Sequence, residues 1–362
     1  MDEHTKKPSP IKRMRAFVGR HRLATILVLA VCVVAAIANV AILLFQPTPP
    51  KPIPTIVVKS KPKPKQVYYS PLTGLPVANE SDRSKPVTGI MIENSPDARP
   101  QSGIKQAEVV YEAIAEGGIT RFLAIYQQDK PQLIGPVRSI RPYYLDWLQP
   151  YNASIAHVGG SALALQQVRN GTWRDIDQFF NGNSYWRASD RYAPHNVYTS
   201  FAKLDALNQS KGYTSSTPKE LLRGDTKPAA TPTASSISVH ISGPTYDSSY
   251  AYNTTDNTYT RSQGGAVMTD REEGAITPKV VIVMTVQQQE IWEETWRESM
   301  QTTGEGKAVI FQNGTATEAT WHKATSSDQL SFTDANGQQV ELARGQTWIT
   351  AIPPDRSVTW QP

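Results

Sequence analysis

Four arginines, Arg99, Arg121, Arg138 and Arg141, lie close together in the chain, interleaved with Glu93, Glu112 and Glu116. A guanidinium presents a planar fork of donors that grips a carboxylate or a phosphate at two points. Gathered in one cleft, these arginines would bind an anion; paired with the glutamates, they would only hold the fold. The run Val158-Gly159-Gly160-Ser161 is a second candidate. Two glycines at a strand-to-helix turn let backbone N–H groups converge where the helix dipole favours an anion. Ser161 suits a plain N-cap equally well.

Catalysis has two candidate sets. Ser161 as nucleophile, with His157 or His195 as base and Asp190 as orienter, would suit acyl transfer. Against it, Leu163 stands where the elbow G-x-S-x-G requires its second glycine. Glu112 and Glu116 could form a glycosidase pair, sharing a strand face only if the strand is unbroken between them. No metal and no other cofactor is expected. The six histidines include no close pair of ligand spacing, and Cys32, the single cysteine, excludes a thiolate cluster or an intrachain disulfide. Trp321, Trp348 and Trp360 with Tyr250, Tyr252 and Tyr259 could stack on sugar rings, or simply fill a core.

The elements that must position these residues form two groups. Over 67–213, apolar runs at Val87–Glu93, Glu108–Ala115, Ile119–Gln127 and Ala153–His157 read as strands. Glu116-Gly117-Gly118 makes a hairpin turn. Pro142–Leu148, Ala162–Arg169 and Ser200–Lys211 read as helices, the last closed by Gly212. Residues 214–236, rich in Thr, Ser, Pro and Ala, read as a linker or long loop. Over 237–355 nearly everything is strand and turn. Asn313-Gly314 and Asn336-Gly337 mark hairpins, Glu290–Met300 is the only possible helix, and a small sandwich or curved sheet is expected.

Ahead of both groups, Leu23–Phe45 is an uncharged apolar run long enough to cross a bilayer as a helix. Seven Lys/Arg in the basic tail 1–22 hold the N-terminus in the cytoplasm. Ala36-Ile37-Ala38 would suit a signal-peptide cleavage site, but the apolar run continues past it. Leu29-Ala30-Val31-Cys32 approaches a lipobox, with Val31 in the place of a small residue. Residues 46–66, with interleaved Pro and Lys, read as an extended spacer. The fold expected is an N-terminal transmembrane helix, then an α+β domain and a mainly-β C-terminal domain.

Charge narrows the partners. The tail 1–22 and the spacer 46–66 each carry a net +5, so with +5 for the whole chain residues 67–362 carry −5. A mildly acidic folded part is a poor nucleic-acid binder. The cell membrane is the partner expected through 23–45, and an anionic wall polymer, such as a peptidoglycan carboxylate or a teichoic-type phosphate, or an envelope protein through the folded part. A binding or scaffold module leads, and an envelope hydrolase or transferase acting on peptidoglycan or another polysaccharide is the alternative.

Several long motifs occur in order: Pro71–Val77 (PLTGLPV), Glu93–Ile104 (ENSPDARPQSGI), Glu112–Tyr126 (EAIAEGGITRFLAIY), Gly135–Tyr144 (GPVRSIRPYY), Ala156–Ser161 (AHVGGS) and Pro194-His195-Asn196. Gly304–Phe311 (GEGKAVIF) and Gly345–Ile349 (GQTWI) follow. Over about 68–355 the chain resembles the YerB-like family of bacterial surface lipoproteins. That resemblance implies an extracytoplasmic protein of two domains and no assigned activity. Its departure is at Val31, which degrades the family's lipobox.

Overall fold

The computed structural model describes residues 10–11, 14–15, 22–48, 50–51 and 66–362. The readings of the basic tail and of the Pro/Lys spacer therefore fall almost wholly outside the described residues. Arg22–Leu44 is one 23-residue α-helix, long and apolar enough to cross a membrane. The Asn39 amide donates to the Ala35 carbonyl one turn back at 2.8 Å, which satisfies one of its donors within the helix.

The remaining described chain forms a second unit, and its main sheet has ten strands. From one edge they are Ser331–Asp334, Thr315–Lys323, Gly304–Gln312, Val280–Thr285 and Thr347–Ile352. Val109–Glu116, Ile119–Tyr126, Thr88–Glu93, Ser154–Ala156 and Arg174–Asp175 complete it. The first five belong to the mainly-β domain and the rest to the α+β domain. They join where Thr347–Ile352 runs parallel to Val109–Glu116, with Thr347 opposite Val109 and Thr350 opposite Glu112. Thr88–Glu93 and Thr347–Ile352 are buried at every residue, as strands covered on both faces must be.

One cluster, with Met91, Tyr111, Leu123 and Trp147, runs across the joint to Ile282, Ile310 and Ile349. A second gathers Ile92, Val110, Phe122 and Trp348. A separate five-stranded sheet (Ala266–Val267, Thr258–Gln263, Ser248–Asn253, Ser236–His240, Ser357–Gln361) packs Ile237, Val239 and Tyr259 against Val281, Val283 and Phe311 of the main sheet. That makes the C-terminal half sandwich-like.

Local rules hold at most helix ends and turns. Ser161 and Ser200 cap Ala162–Val168 and Phe201–Ser210, each accepting from a backbone N–H three residues on. Gly117 and Gly118 sit at φ +55° and +77°, and Asn313 and Gly314 at +57° and +77°, the left-handed pairs of two-residue hairpins. Asn336-Gly337 differs. Only Gly337 has positive φ, and its N–H returns to the Asp334 carbonyl at 2.9 Å, as in a longer loop closed by a left-handed glycine.

Three expectations need correction. Glu290–Met300 is not helical: Gln288–Trp292 and Trp296–Met300 form an antiparallel hairpin. The connection 214–236 is packed, with Ser216, Leu221 and Ala234 buried and Arg223–Gly224 paired to Leu342–Ala343. The folded chain also continues past 355, since Ser357–Gln361 pairs with Ser236–His240.

Candidate functional site

Three guanidinium groups converge on Glu116. Arg121 Nη2 lies 3.3 Å from its carboxylate, Arg141 Nη2 at 2.7 Å, and Arg297 donates to the same Oε2. Each arginine is held by a different device. Arg121 stands on the strand leaving the Gly117-Gly118 turn, and its Nη1 donates to the Ser139 carbonyl at 2.8 Å. Arg141 precedes Pro142 at the start of the Pro142–Leu148 helix, which Tyr143 and Tyr144 anchor through hydroxyl bonds to the Ile114, Ala113 and Arg121 carbonyls. Arg297 arrives on the 288–300 hairpin.

No second carboxylate lies within 4.0 Å of these three guanidinium groups among the described residues. Cations therefore outnumber anions at this spot. Burial alone would raise the Glu116 carboxyl, but Arg141 and Arg121 outweigh it and hold it below its ordinary range. Burial, and then the Arg141 charge, push Arg121 down. The Nε atoms of Arg121 and Arg141 are buried without hydrogen-bond partners, unusual for buried polar groups. Glu116 and Arg297 are about a third and a quarter exposed at their side chains (32% and 24%), so the cluster opens to solvent on that side.

A second cluster adjoins it, because Glu93 faces Arg121 across paired strands. Glu93 Oε1 accepts from Ser95 Oγ at 3.0 Å and meets His195 Nδ1 at 3.0 Å, with Arg138 Nε 3.3 Å away in an ion pair that makes no hydrogen bond, while Oε2 is buried without a partner. Ser95 also lies 3.1 Å from His195 Nδ1. A nucleophile relay needs serine and carboxylate hydrogen-bonded to opposite ring nitrogens; here Ser95 and Glu93 both meet Nδ1, Ser95 donates to the Glu93 carboxylate, and the exposed Asp97 carboxylate stands 4.0 Å from Nε2, beyond hydrogen-bond reach.

The other candidates are placed apart from this patch. Glu112 is fully buried, taking Arg261 at 2.8 Å, Thr120 at 3.0 Å and Trp348 Nε1 at 3.2 Å. A register shift between Ile114 and Glu116 breaks the strand alternation, so the supposed glycosidase pair shares no partner. Arg99 is committed to Asn94 and the Thr245 carbonyl. The Gly159–Ser161 turn does not present an open row of donors: Gly159 N–H goes to Asp177 and Ser161 N–H to the Ile140 carbonyl. Ser161 Oγ is spent on its cap. Fully buried His157 meets the Gly159 carbonyl and Asp175 at its two ring nitrogens, and Asp190 pairs with Arg271, so neither serves Ser161. Trp321, Trp348, Tyr250 and Tyr259 are core. Among the described residues no group of three or more His, Cys, Asp or Glu is placed to hold a metal ion.

Two family models, described as the N-terminal and C-terminal domains of a protein of unknown function (DUF3048), match residues 72–214 and 237–349. The chain belongs to the DUF3048 family. It is 33% identical over 288 residues to the "Putative lipoprotein YerB" of Bacillus subtilis (strain 168), covering 78% of this chain and 86% of that protein. The crystal structure of YerB from Bacillus subtilis superposes with a TM-score of 0.72 at 28% identity, over 81% of this chain and 99% of that one. The two DUF3048 domains thus meet in one continuous sheet here.

Within this DUF3048 chain, sequence reasoning missed Arg297, Ser95 and Arg261. Arg297 and Arg261 belong to the C-terminal domain yet complete sites in the N-terminal one, and nothing in their local spacing marks them. Ser95 lies two residues after Glu93 inside a recognised motif, and that proximity was the available signal.

Proposed function

We propose that this chain is a membrane-anchored, extracytoplasmic binding or scaffold module of the bacterial cell envelope. Its Glu116-centred arginine cluster takes an anionic group from a wall polymer or a partner protein. The reading rests above all on three guanidinium groups sharing one partly exposed carboxylate in a folded part that is acidic as a whole. A purely structural network would balance its charges and satisfy its buried donors. The Arg22–Leu44 helix supports anchoring, and the Lys/Arg excess ahead of it supports a cytoplasmic N-terminus. The name of the YerB relative supports an envelope address. The helix is the anchor in this reading, and Cys32 is an ordinary thiol within it.

The test uses the full chain in detergent and a purified cell-wall fraction. Arg297→Lys keeps the charge but loses the planar fork. Wall binding is expected to fall about tenfold with a nearly unchanged melting temperature, since one bidentate hydrogen bond is worth that order. Lowered stability, with no wall binding detectable in the parent protein, would overturn the reading.

A further inference from the structure

We infer that His157 is a pH-sensitive positioning residue behind the anion site: as a doubly protonated ring it pins the turn on which the arginine-bearing segment 138–141 lies. This rests on the anion-binding reading above and adds its regulation. The ring is fully buried. Its Nδ1 lies 2.8 Å from the Gly159 carbonyl oxygen and its Nε2 3.1 Å from Asp175 Oδ1. A backbone carbonyl and a carboxylate only accept, so each ring nitrogen must carry a proton for both bonds to exist.

The local charges agree. Asp177, also fully buried, lies 3.9 Å from Nδ1 and pairs with Arg169 at 3.0 Å. Among the described residues Asp175 and Asp177 have one arginine partner within 4.0 Å between them, and the imidazolium supplies the second positive charge. Burial alone would raise the Asp175 carboxyl, but the bond to His157, its charge and the Asp177 N–H hold it below its ordinary range. Two further titratable or charged groups belong to the elements packed here. The buried Tyr185 hydroxyl donates to the Ile176 carbonyl, and the Arg138 guanidinium stands beside Glu93.

The turn reaches the site through the backbone. The Gly159 carbonyl that meets His157 also accepts the Ile140 N–H at 3.0 Å. The Val158 and Ser161 N–H groups go to the Arg138 and Ile140 carbonyls at 3.1 and 3.2 Å. A Cβ at Gly160 would stand 2.8 Å from the Ile140 side chain, so turn and segment pack without slack. The same segment orients the site: Arg121 Nη1 donates to the Ser139 carbonyl and Arg141 Nη1 to the Ile140 carbonyl, both at 2.8 Å. A neutral ring keeps the charge-assisted bond to Asp175, the stronger of the two. It then turns a lone pair toward the Gly159 carbonyl and Asp177, and the turn loosens. Anion affinity therefore falls as pH rises and the ring loses its second proton.

The experiment titrates the full chain in detergent with inorganic sulfate, whose charge stays constant from about pH 5.5 to about pH 8.5. Glu116, held below its ordinary range, stays ionised across that span. A His195→Gln background removes the other histidine beside the patch. On it, sulfate affinity is expected to be about fivefold lower at the alkaline end, the scale of one lost hydrogen bond. Adding His157→Gln should give weak binding that no longer changes with pH. Adding Asp175→Asn instead, whose carboxamide can donate to a neutral ring, should hold the acid-end affinity throughout. Ring-nitrogen NMR should show both His157 protons at the acid end and the Nδ1 proton lost at the alkaline end. An unchanged pH profile in either added variant, equal weakening of both, or an Nδ1 proton kept throughout would overturn the His157 inference and leave the anion site standing. No sulfate binding at either end would overturn the anion reading, and this regulation with it.

Discussion

Glu112 and Glu116 lie on one strand, but the slip in pairing after Ile114 sends them to different partners. Glu112 meets Arg261 from 149 positions away, in a bond buried at both ends. Arg261 also stacks over Trp348 at 4.6 Å and reaches Tyr250. Removing one member of such a pair strands a charge in the interior. Arg261→Met should therefore destabilise by about 3–5 kcal/mol, and adding Glu112→Gln should recover a good part of it. Urea unfolding of the full chain followed by tryptophan fluorescence measures both; a loss below about 1 kcal/mol would mean the pair does not hold the halves together. Residue types were legible at this scale: arginine and glutamate side by side announce ion pairs. Partnership was not, because Arg138 and Arg141, three residues apart, go to Glu93 and Glu116 respectively.

At the scale of elements, the Asn-Gly and Gly-Gly turns were readable because a left-handed backbone is a local demand that few residues meet. What surrounds the turn decides the cost of breaking it. A Cβ at Gly314 would lie 2.6 Å from the Tyr252 ring and 3.0 Å from Pro232, whereas one at Gly337 would meet nothing within 4 Å. Gly337→Ala should cost about 1–2 kcal/mol from backbone strain alone, and Gly314→Ala distinctly more. Thermal melts of the two variants give the order directly, and equal losses would refute the packing argument. Glu290–Met300, within the 288–300 hairpin, allowed a helix reading for a physical reason. Its glutamates are good helix formers, and its pairing is supported by Trp292 against Trp296 and by contacts to Glu116 and Leu163 that the segment does not contain.

For the whole molecule, the shared ten-stranded sheet and the cluster that crosses its joint make the two family domains one mechanical body. Residues 66–362 should unfold in a single cooperative transition, with calorimetric and van't Hoff enthalpies in agreement. Two resolved transitions in differential scanning calorimetry would contradict this. Read along the chain, the membrane-length helix, the periodicity of strands, the capped helices and the family motifs are all legible, since each depends on neighbours a few residues away. The parallel joint between Thr347–Ile352 and Val109–Glu116 is not. Nor is the burial of Glu112, or the arrival of Arg297 at Glu116, because each depends on residues brought together from opposite ends of the folded part. Those meetings are set by burying apolar faces shared between the two halves, a condition that the tertiary structure alone satisfies.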